Sequence, residues 1–527
     1  MKTKPQPNTL QFFSGDNRGD RVKLLVSALL FHTVFWSFAP PLYFSTHPID
    51  TMEMMVIGQN WVISTHKHPA FQGWICEIYS LLFGRYDFVP YLAAQTACVI
   101  TVLATWKLAQ DFLSPKYALL AALALLSYFY LNFDSAVYNN RTFMRSFWIL
   151  AILFLYIAFR DNKKRHWILT GLMLGLGLYC KLTVSMLVLS ILVYMFLDPQ
   201  VRKYWKTPGP YLSTVTCLVI CLPLLLWSYQ HGFPQLGQVK SSIVDVTPTL
   251  GERLLSPTRF FVKQIPIALI LITPLLPIIG LRWSIDKTKL FSDKGRFLAG
   301  FLMIPLILQL GVAFYCAGFM RTALGCHLWL ILPLFILFAL KIPQEKERLF
   351  SSSMKIVYVN IVVFALASIA VVHLGPVFTG RVSRPNYPGK ELAQAVDQLW
   401  KERYSTPLPF VRGDDWPTEI VGTYLRPHPT VYGNLWSTEE QFRKSGGVLL
   451  WIIPDSNNVI RHSVVDCFGN DDFRYSETTG RPDEWLRQFP NAEILPDLEL
   501  SPPTLVKLPP VKFGVAIVPP ESETQNK

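Results

Sequence analysis

The chain has 527 residues, of which 51% are hydrophobic and only 16% charged, and its formal net charge is +13. An apolar share above that of ordinary soluble domains, with a charged share below it, excludes a water-soluble globule. The positive charge does not call for nucleic acid, because Lys and Arg stand in short clusters between apolar runs, which is the pattern of membrane topology.

The segment Met1 to Lys23 is polar and basic. The apolar run after it is too long for a signal peptide and lacks a small-residue cleavage site, so it reads as a retained signal anchor. Apolar runs predict spans at 24–44, 90–112, 116–133, 144–160, 166–180, 182–197, 210–229, 260–281, 297–316, 322–340 and 354–374. That makes about eleven helices of the length a bilayer requires. The pair at 166–197 is short for two crossings, and Gly171, Gly175 and Gly177 predict close helix packing there. With the N-terminus inside, the cytoplasmic segments receive Arg160, Lys163, Lys164, Arg165, Arg202, Lys203, Lys206, Lys287, Lys289, Lys294 and Arg296. The opposite side holds fewer, mostly single, basic residues, which is the positive-inside pattern. An odd number of spans then puts the C-terminal part outside. Residues 1–374 read as the membrane domain, and 375–527, rich in proline and charge, as a small soluble α/β domain. That domain has helical periodicity around Lys390 to Trp400 and strand-like runs at 447–453 and 513–518. The eight cysteines, Cys467 among them, show no zinc-like pairing, and no disulfide framework is expected.

The polar residues of one side carry the chemistry. The first outer loop, 45–89, is long for a helix–helix connection, and such loops are usually functional when ordered. Stretches 52–64 and 70–84 mix apolar and polar positions and predict helices lying along the interface. The loop holds Asp50, Glu53, Lys67 and His68; the same side holds Asn139, Asn140, Arg141 and Arg145, then Lys181, then Tyr229 and His231. A carboxylate suits removal of a proton, and nearby cations suit a phosphate. Each position also has a plain reading. Asp50 serves as an ordinary loop acid, and Glu53 as a helix N-terminal charge. His68-Pro69 starts a helix, and Lys181 snorkels to headgroups. Asn139-Asn140 makes a turn, and Trp227 with Tyr229 forms an interfacial anchor.

Several stretches resemble one family. They are Ile49-Asp50-Thr51-Met52-Glu53, Lys67-His68-Pro69, Leu174 to Lys181, Leu226 to Gly232, Thr406-Pro407-Leu408-Pro409 and Gly446 to Trp451. Together they resemble the bacterial relatives of dolichyl-phosphate-mannose protein mannosyltransferases, which include the lipid A aminoarabinose transferases and are C-class membrane glycosyltransferases. Two positions depart from that pattern: Glu53 follows Asp50 by three places instead of one, and Ala70 replaces a second proline. The resemblance implies a polyprenyl-phosphate-sugar donor and displacement at the anomeric carbon with inversion. It implies an envelope glycolipid, polysaccharide or protein as acceptor, on the periplasmic side of a bacterial inner membrane. It makes Asp50 the general base, with Glu53 beside it, and gives the donor phosphate to His68, with Lys67 and Lys181 as further candidates. Asn139, Asn140, Arg141, Tyr229 and His231 become candidate substrate contacts. No cofactor is implied; a divalent metal on Asp50 stays an open alternative.

The competing class is a transporter or flippase of a lipid-linked or small solute. That reading requires ionisable groups near the middle of several helices, with broken or repeated helices, whereas here the candidate groups gather in outer loops.

Overall fold

The computed structural model describes Gly15, 17–235, 248–280, 283–317, 320–342, 348–432, 437–453 and 482–521. Cys467 and residues 1–14 lie outside the described residues. Among the described residues, seven helices are long and apolar enough to cross a membrane: Arg18–Tyr43, Val89–Ala109, Thr142–Asp161, Gly209–Gln230, Leu250–Ile279, Asp293–Cys316 and Phe350–Thr379. At 1.5 Å rise per residue, about twenty residues span the hydrocarbon core. Local chemistry starts several of them: the Asn17 side chain accepts from the Asp20 amide, Thr249 and Glu252 form a capping box, and Ser292 accepts from the Gly295 amide.

The remaining expected spans are shorter or broken. The run at 116–133 becomes Pro115–Ser127 and Phe129–Ala136, bent by 73°. The runs at 166–180 and 182–197 become helix Lys164–Cys180 and the short apolar helix Leu182–Leu197. The run at 322–340 holds only a 3₁₀ turn, Thr322–Gly325, and helix Leu332–Ala339, with Pro333 in its first turn. By length and composition the count among the described residues is therefore seven, or eight with the bent pair as one span, below the roughly eleven expected from apolar runs alone. The bent pair Pro115–Ser127 and Phe129–Ala136 is largely buried, as is His327 against Trp148 with ring centroids 4.0 Å apart, whereas Leu182–Leu197 exposes Leu189, Phe196 and Leu197.

Contacts still alternate between two ends along the chain. At one end Arg160 meets Asp111 at 2.7 Å, Arg296 meets Asp198 at 2.8 Å, and Ile285 bridges to Leu340. At the other end Gln235 donates to Ser64 at 2.7 Å, Lys181 to Asn140 at 3.3 Å, and Arg253 to the Tyr315 carbonyl at 3.0 Å. The predicted glycine packing is present. A Cβ on Gly171 would lie 2.1 Å from the Ser213 carbonyl oxygen, and one on Gly175 2.7 Å from Ile220 Cβ. Backbones this close need small residues.

The first loop folds as two helices, Ile49–Gln59 and Phe71–Phe83, which touch where a Cβ on Gly58 would lie 2.2 Å from the Gly73 carbonyl oxygen. The second exposes Ile78, Leu81, Leu82 and Phe83, as an interfacial helix does. The first departs from that expectation. It is buried on two sides: Met52 and Val56 pack into the C-terminal region, and Met54 and Ile57 into the membrane domain.

That region carries helices Gly389–Lys401 and Asp415–Tyr424 and a mixed sheet of β1 (Phe410–Gly413), β2 (Thr430–Val431), β3 (Gly447–Ile452), β4 (Glu493–Ile494), β5 (Leu498–Leu500) and β6 (Val511–Val518). The order is β2-β1-β3-β6-β4, with β5 also on β6. β1 is parallel to β2 and β3, and β6 is antiparallel to its neighbours. Strand β3 is a near-continuous apolar run, as expected of a central strand covered on both faces. Ile49, Met52 and Val56 of the first loop belong to the same apolar cluster as Trp400, Trp416, Ile420, Val448, Leu450 and Phe513. The outer loop is thus part of the C-terminal core.

Candidate active site

Asp50 lies in the first turn of helix Ile49–Gln59, 40% exposed, with Oδ2 3.9 Å from Arg141 Nη2. Arg141 is held from behind by Asp134, whose Oδ1 is 2.9 Å from the same Nη2. Asp134 is fully buried and its second oxygen pairs with buried Arg145. A buried carboxylate that neutralises two arginines can hold one of them in place for a third partner.

Lys181 arrives from the opposite side. It occupies the extended break between helix Lys164–Cys180 and the 3₁₀ turn Leu182–Val184, and its Nζ donates to Asn140 Oδ1 at 3.3 Å. Burial, then repulsion from Arg141, lowers its pKa to about 8, with Asp50 and Asp134 opposing. This ammonium gives up its proton far more readily than an ordinary lysine.

His68 sits in a tight turn tied by Thr65, whose Oγ1 accepts from the amides of Lys67 (3.2 Å) and His68 (3.0 Å). Gln235 clamps the turn by donating to Ser64 Oγ at 2.7 Å and to the Thr65 carbonyl at 3.0 Å. Burial and the neighbouring Lys181 push the His68 pKa down to about 3. At neutral pH it is an uncharged imidazole, with one N–H to offer and no positive charge.

Lys67 points elsewhere. Its Nζ lies 2.6 Å from Asp415 Oδ2 and 3.7 Å from Glu53 Oε1. Glu53 is only 15% exposed. Burial raises its pKa, Lys67 opposes the rise, and Asp50 and Asp415 add to it. Glu419, on the C-terminal helix Asp415–Tyr424, is buried, and burial followed by Glu53 raises its pKa well above the usual range. Its Oε2 is without a hydrogen-bond partner among the described residues.

The candidate residues therefore divide. Asp50, Arg141, Lys181, Asn140 and His68 gather around one place, with Glu53 and Lys67 beside it toward the C-terminal helix. Asn139 takes the turn role: its Oδ1 accepts from the Arg141 amide at 2.8 Å and its Nδ2 donates to Asp134 at 3.3 Å. Tyr229 and His231 are not brought in. Tyr229 is 74% exposed at the end of its helix, and the His231 ring stacks on Trp227 at 4.2 Å. Among the described residues no group of three or more His, Cys, Asp or Glu is placed to hold a metal ion. Asp415, Glu419 and the clamp Gln235 were not singled out from sequence; each reaches the site across more than 150 positions, and nothing local marks it. Asp134 lies eight residues before helix Thr142–Asp161, which carries Arg145, and nothing local marks its double pairing.

The fold is the one shared by C-class membrane glycosyltransferases. It matches the crystal structure of ArnT from Cupriavidus metallidurans bound to undecaprenyl phosphate with a TM-score of 0.60, at 13% identity, over 96% of this chain and 99% of that one. The apo ArnT structure from the same organism matches at 0.48 (14% identity, 94% and 98% covered). The Archaeoglobus fulgidus oligosaccharyltransferase in its apo form matches at 0.42 (12%, 82% and 66%); neither of these two lower scores contributes to the fold assignment. No curated protein matches by sequence. Residues 67–227 match the family described as dolichyl-phosphate-mannose-protein mannosyltransferase, a stretch that includes Lys67-His68-Pro69 and Leu174 to Lys181.

Proposed function

We propose that this protein transfers a monosaccharide from a polyprenyl-phosphate donor to an envelope glycolipid, polysaccharide or protein, with inversion, on the periplasmic face of a bacterial inner membrane. The carrying observation is the convergence of the Asp50 carboxylate with Arg141 and Lys181 at one end of the helices. The matched structure holds undecaprenyl phosphate, which supports the donor class. Orientation rests on charge. Arg160, Lys294 and Arg296 share the end opposite the site, and the positive-inside rule makes that end cytoplasmic.

In the step proposed, the acceptor hydroxyl oxygen bonds to the anomeric carbon as the bond from that carbon to the phosphate oxygen breaks. Asp50 takes the hydroxyl proton. The polyprenyl phosphate leaves with one more negative charge than it brought, and Lys181 and Arg141 stabilise that charge in a partly dry site. His68 supplies a neutral N–H donor. Asp134 does not react: it keeps Arg141 within reach of both Asp50 and the phosphate.

General-base catalysis contributes about 10²–10⁴-fold, and Asp50→Asn is expected to lower turnover by that order while the protein stays folded. The test uses the purified full-length protein in lipid nanodiscs with a polyprenyl-phosphate-sugar and envelope acceptors. Near-normal turnover by the Asn variant rules out the base. Mass spectrometry of envelope glycolipids and glycoproteins with and without the gene identifies sugar and acceptor; an unchanged glycome with altered solute uptake points to the transporter class.

A further inference from the structure

We propose that Asp415, supplied by the C-terminal region, is a positioning residue of the donor site: it competes with the donor phosphate for the Lys67 ammonium and takes that cation back when the spent polyprenyl phosphate leaves. The inference rests on the donor reading above.

Four observations carry it. First, Lys67 precedes His68 in the turn that Thr65 and Gln235 pin, so its backbone is fixed and only its four-carbon stem can swing. Second, the Lys67–Asp415 contact of 2.6 Å is partly open to solvent, with the two side chains 27% and 46% exposed. Ion pairs of that kind are weak, so an incoming phosphate can displace the carboxylate. Third, Asp415 is presented rigidly. Its neighbour Asp414 accepts from the Ile452 amide at 2.8 Å and donates its own amide to the Leu450 carbonyl at 2.9 Å. Its other neighbour, Trp416, is fully buried and stacked on Tyr387, with centroids 4.0 Å apart. Fourth, the alternative partner on the other side, Glu53, lies at 3.7 Å and is only 15% exposed. Lys67 released from Asp415 stays anchored within the site instead of drifting into solvent.

The ion exchange has a direction. A phosphodiester donor carries one negative charge, while a phosphate monoester carries about 1.5 to 2 at neutral pH. The product thus holds Lys67 harder than the substrate does. A competing carboxylate on the same ammonium weakens the product complex most, which speeds release.

The test measures binding of undecaprenyl phosphate to the full-length protein in nanodiscs for wild type, Asp415→Asn, Lys67→Ala and the double variant. The Asn variant is expected to bind roughly two- to fivefold tighter, the range a partly exposed ion pair allows. Asp415→Glu is expected to restore the wild-type value. On the Lys67→Ala background, removing Asp415 is expected to change nothing. A structural role would instead weaken binding, with or without Lys67. Asp415→Ser serves as a second variant should the Asn form unfold. Binding unchanged or weakened in a folded Asp415 variant, or tightened equally without Lys67, overturns the proposal alone. Absence of binding to the wild type overturns the donor reading and the proposal with it.

Discussion

Lys181 offers the most discriminating test of the site. Its pKa is held near 8 by burial and by Arg141, against about 10.4 for a free lysine. From a value of about 8, the ammonium is about nine-tenths protonated at pH 7 and about one-tenth at pH 9. The charged form is the one that stabilises the leaving phosphate, so its contribution is complete below pH 7 and is lost as pH rises through 8. Over those two pH units kcat/KM is expected to fall about tenfold, with an alkaline limb that approaches unit slope. A bound donor phosphate favours the ammonium, so the limb in kcat is expected at higher pH than the limb in kcat/KM, which reports the free enzyme. Lys181→Arg keeps a charge throughout the accessible range and is expected to remove the limb while keeping part of the rate. Lys181→Met is expected to cost about 10²–10³-fold, the loss typical of one oxyanion donor. The assay is initial-rate transfer from a polyprenyl-phosphate-sugar by nanodisc-embedded protein between about pH 6.5 and 9.5 at constant ionic strength. A limb near pH 8 that survives in the Arg variant, or a Met variant with ordinary rates, refutes the assignment.

Two structural predictions stand beside it. Asp134→Ala leaves Arg141 and Arg145 buried without the carboxylate they share. Breaking a buried pair costs about 3–5 kcal/mol, so thermal unfolding in detergent should shift down sharply, and a curve superimposing on wild type would contradict the triad. Gly171→Ala places a Cβ 2.1 Å from the Ser213 carbonyl oxygen, which forces helices Lys164–Cys180 and Gly209–Gln230 apart. Overpacking of this kind costs about 1–3 kcal/mol; an unchanged melting point would show that the two helices are not in backbone contact.

Much of the membrane domain was legible because hydropathy reports burial from water, and seven of the predicted spans are helices of crossing length. The same signal cannot separate a crossing helix from a shorter or broken apolar one. Segments 166–180, 182–197 and 322–340 were therefore read like the others. The glycines at 171 and 175 were informative because only small residues permit such backbone proximity. In the C-terminal region, the 447–453 and 513–518 runs became β3 and β6 because alternating or continuous apolar patterns have few other outcomes at that length.

The site was half legible. Asp50, Arg141 and Lys181 stand out as charges near a bilayer, where unpaired charge is costly and hence meaningful. Lys67 and His68, adjacent in sequence, looked equivalent, yet the turn at Thr65 sends one toward Asp415 and leaves the other uncharged beside Lys181. Tyr229 and His231 belonged to a stretch resembling the family, yet Tyr229 ends up exposed and His231 stacked on Trp227.

Composition and pattern alone determined a polytopic helical protein with basic clusters at alternate ends, because the transfer of apolar and charged groups between water and lipid depends on residue type. Which cation meets which carboxylate was decided by the tertiary fold. Pairing energies depend on distances of a few ångströms between segments hundreds of positions apart, as Lys67 and Asp415 are, and on burial that no single segment carries by itself.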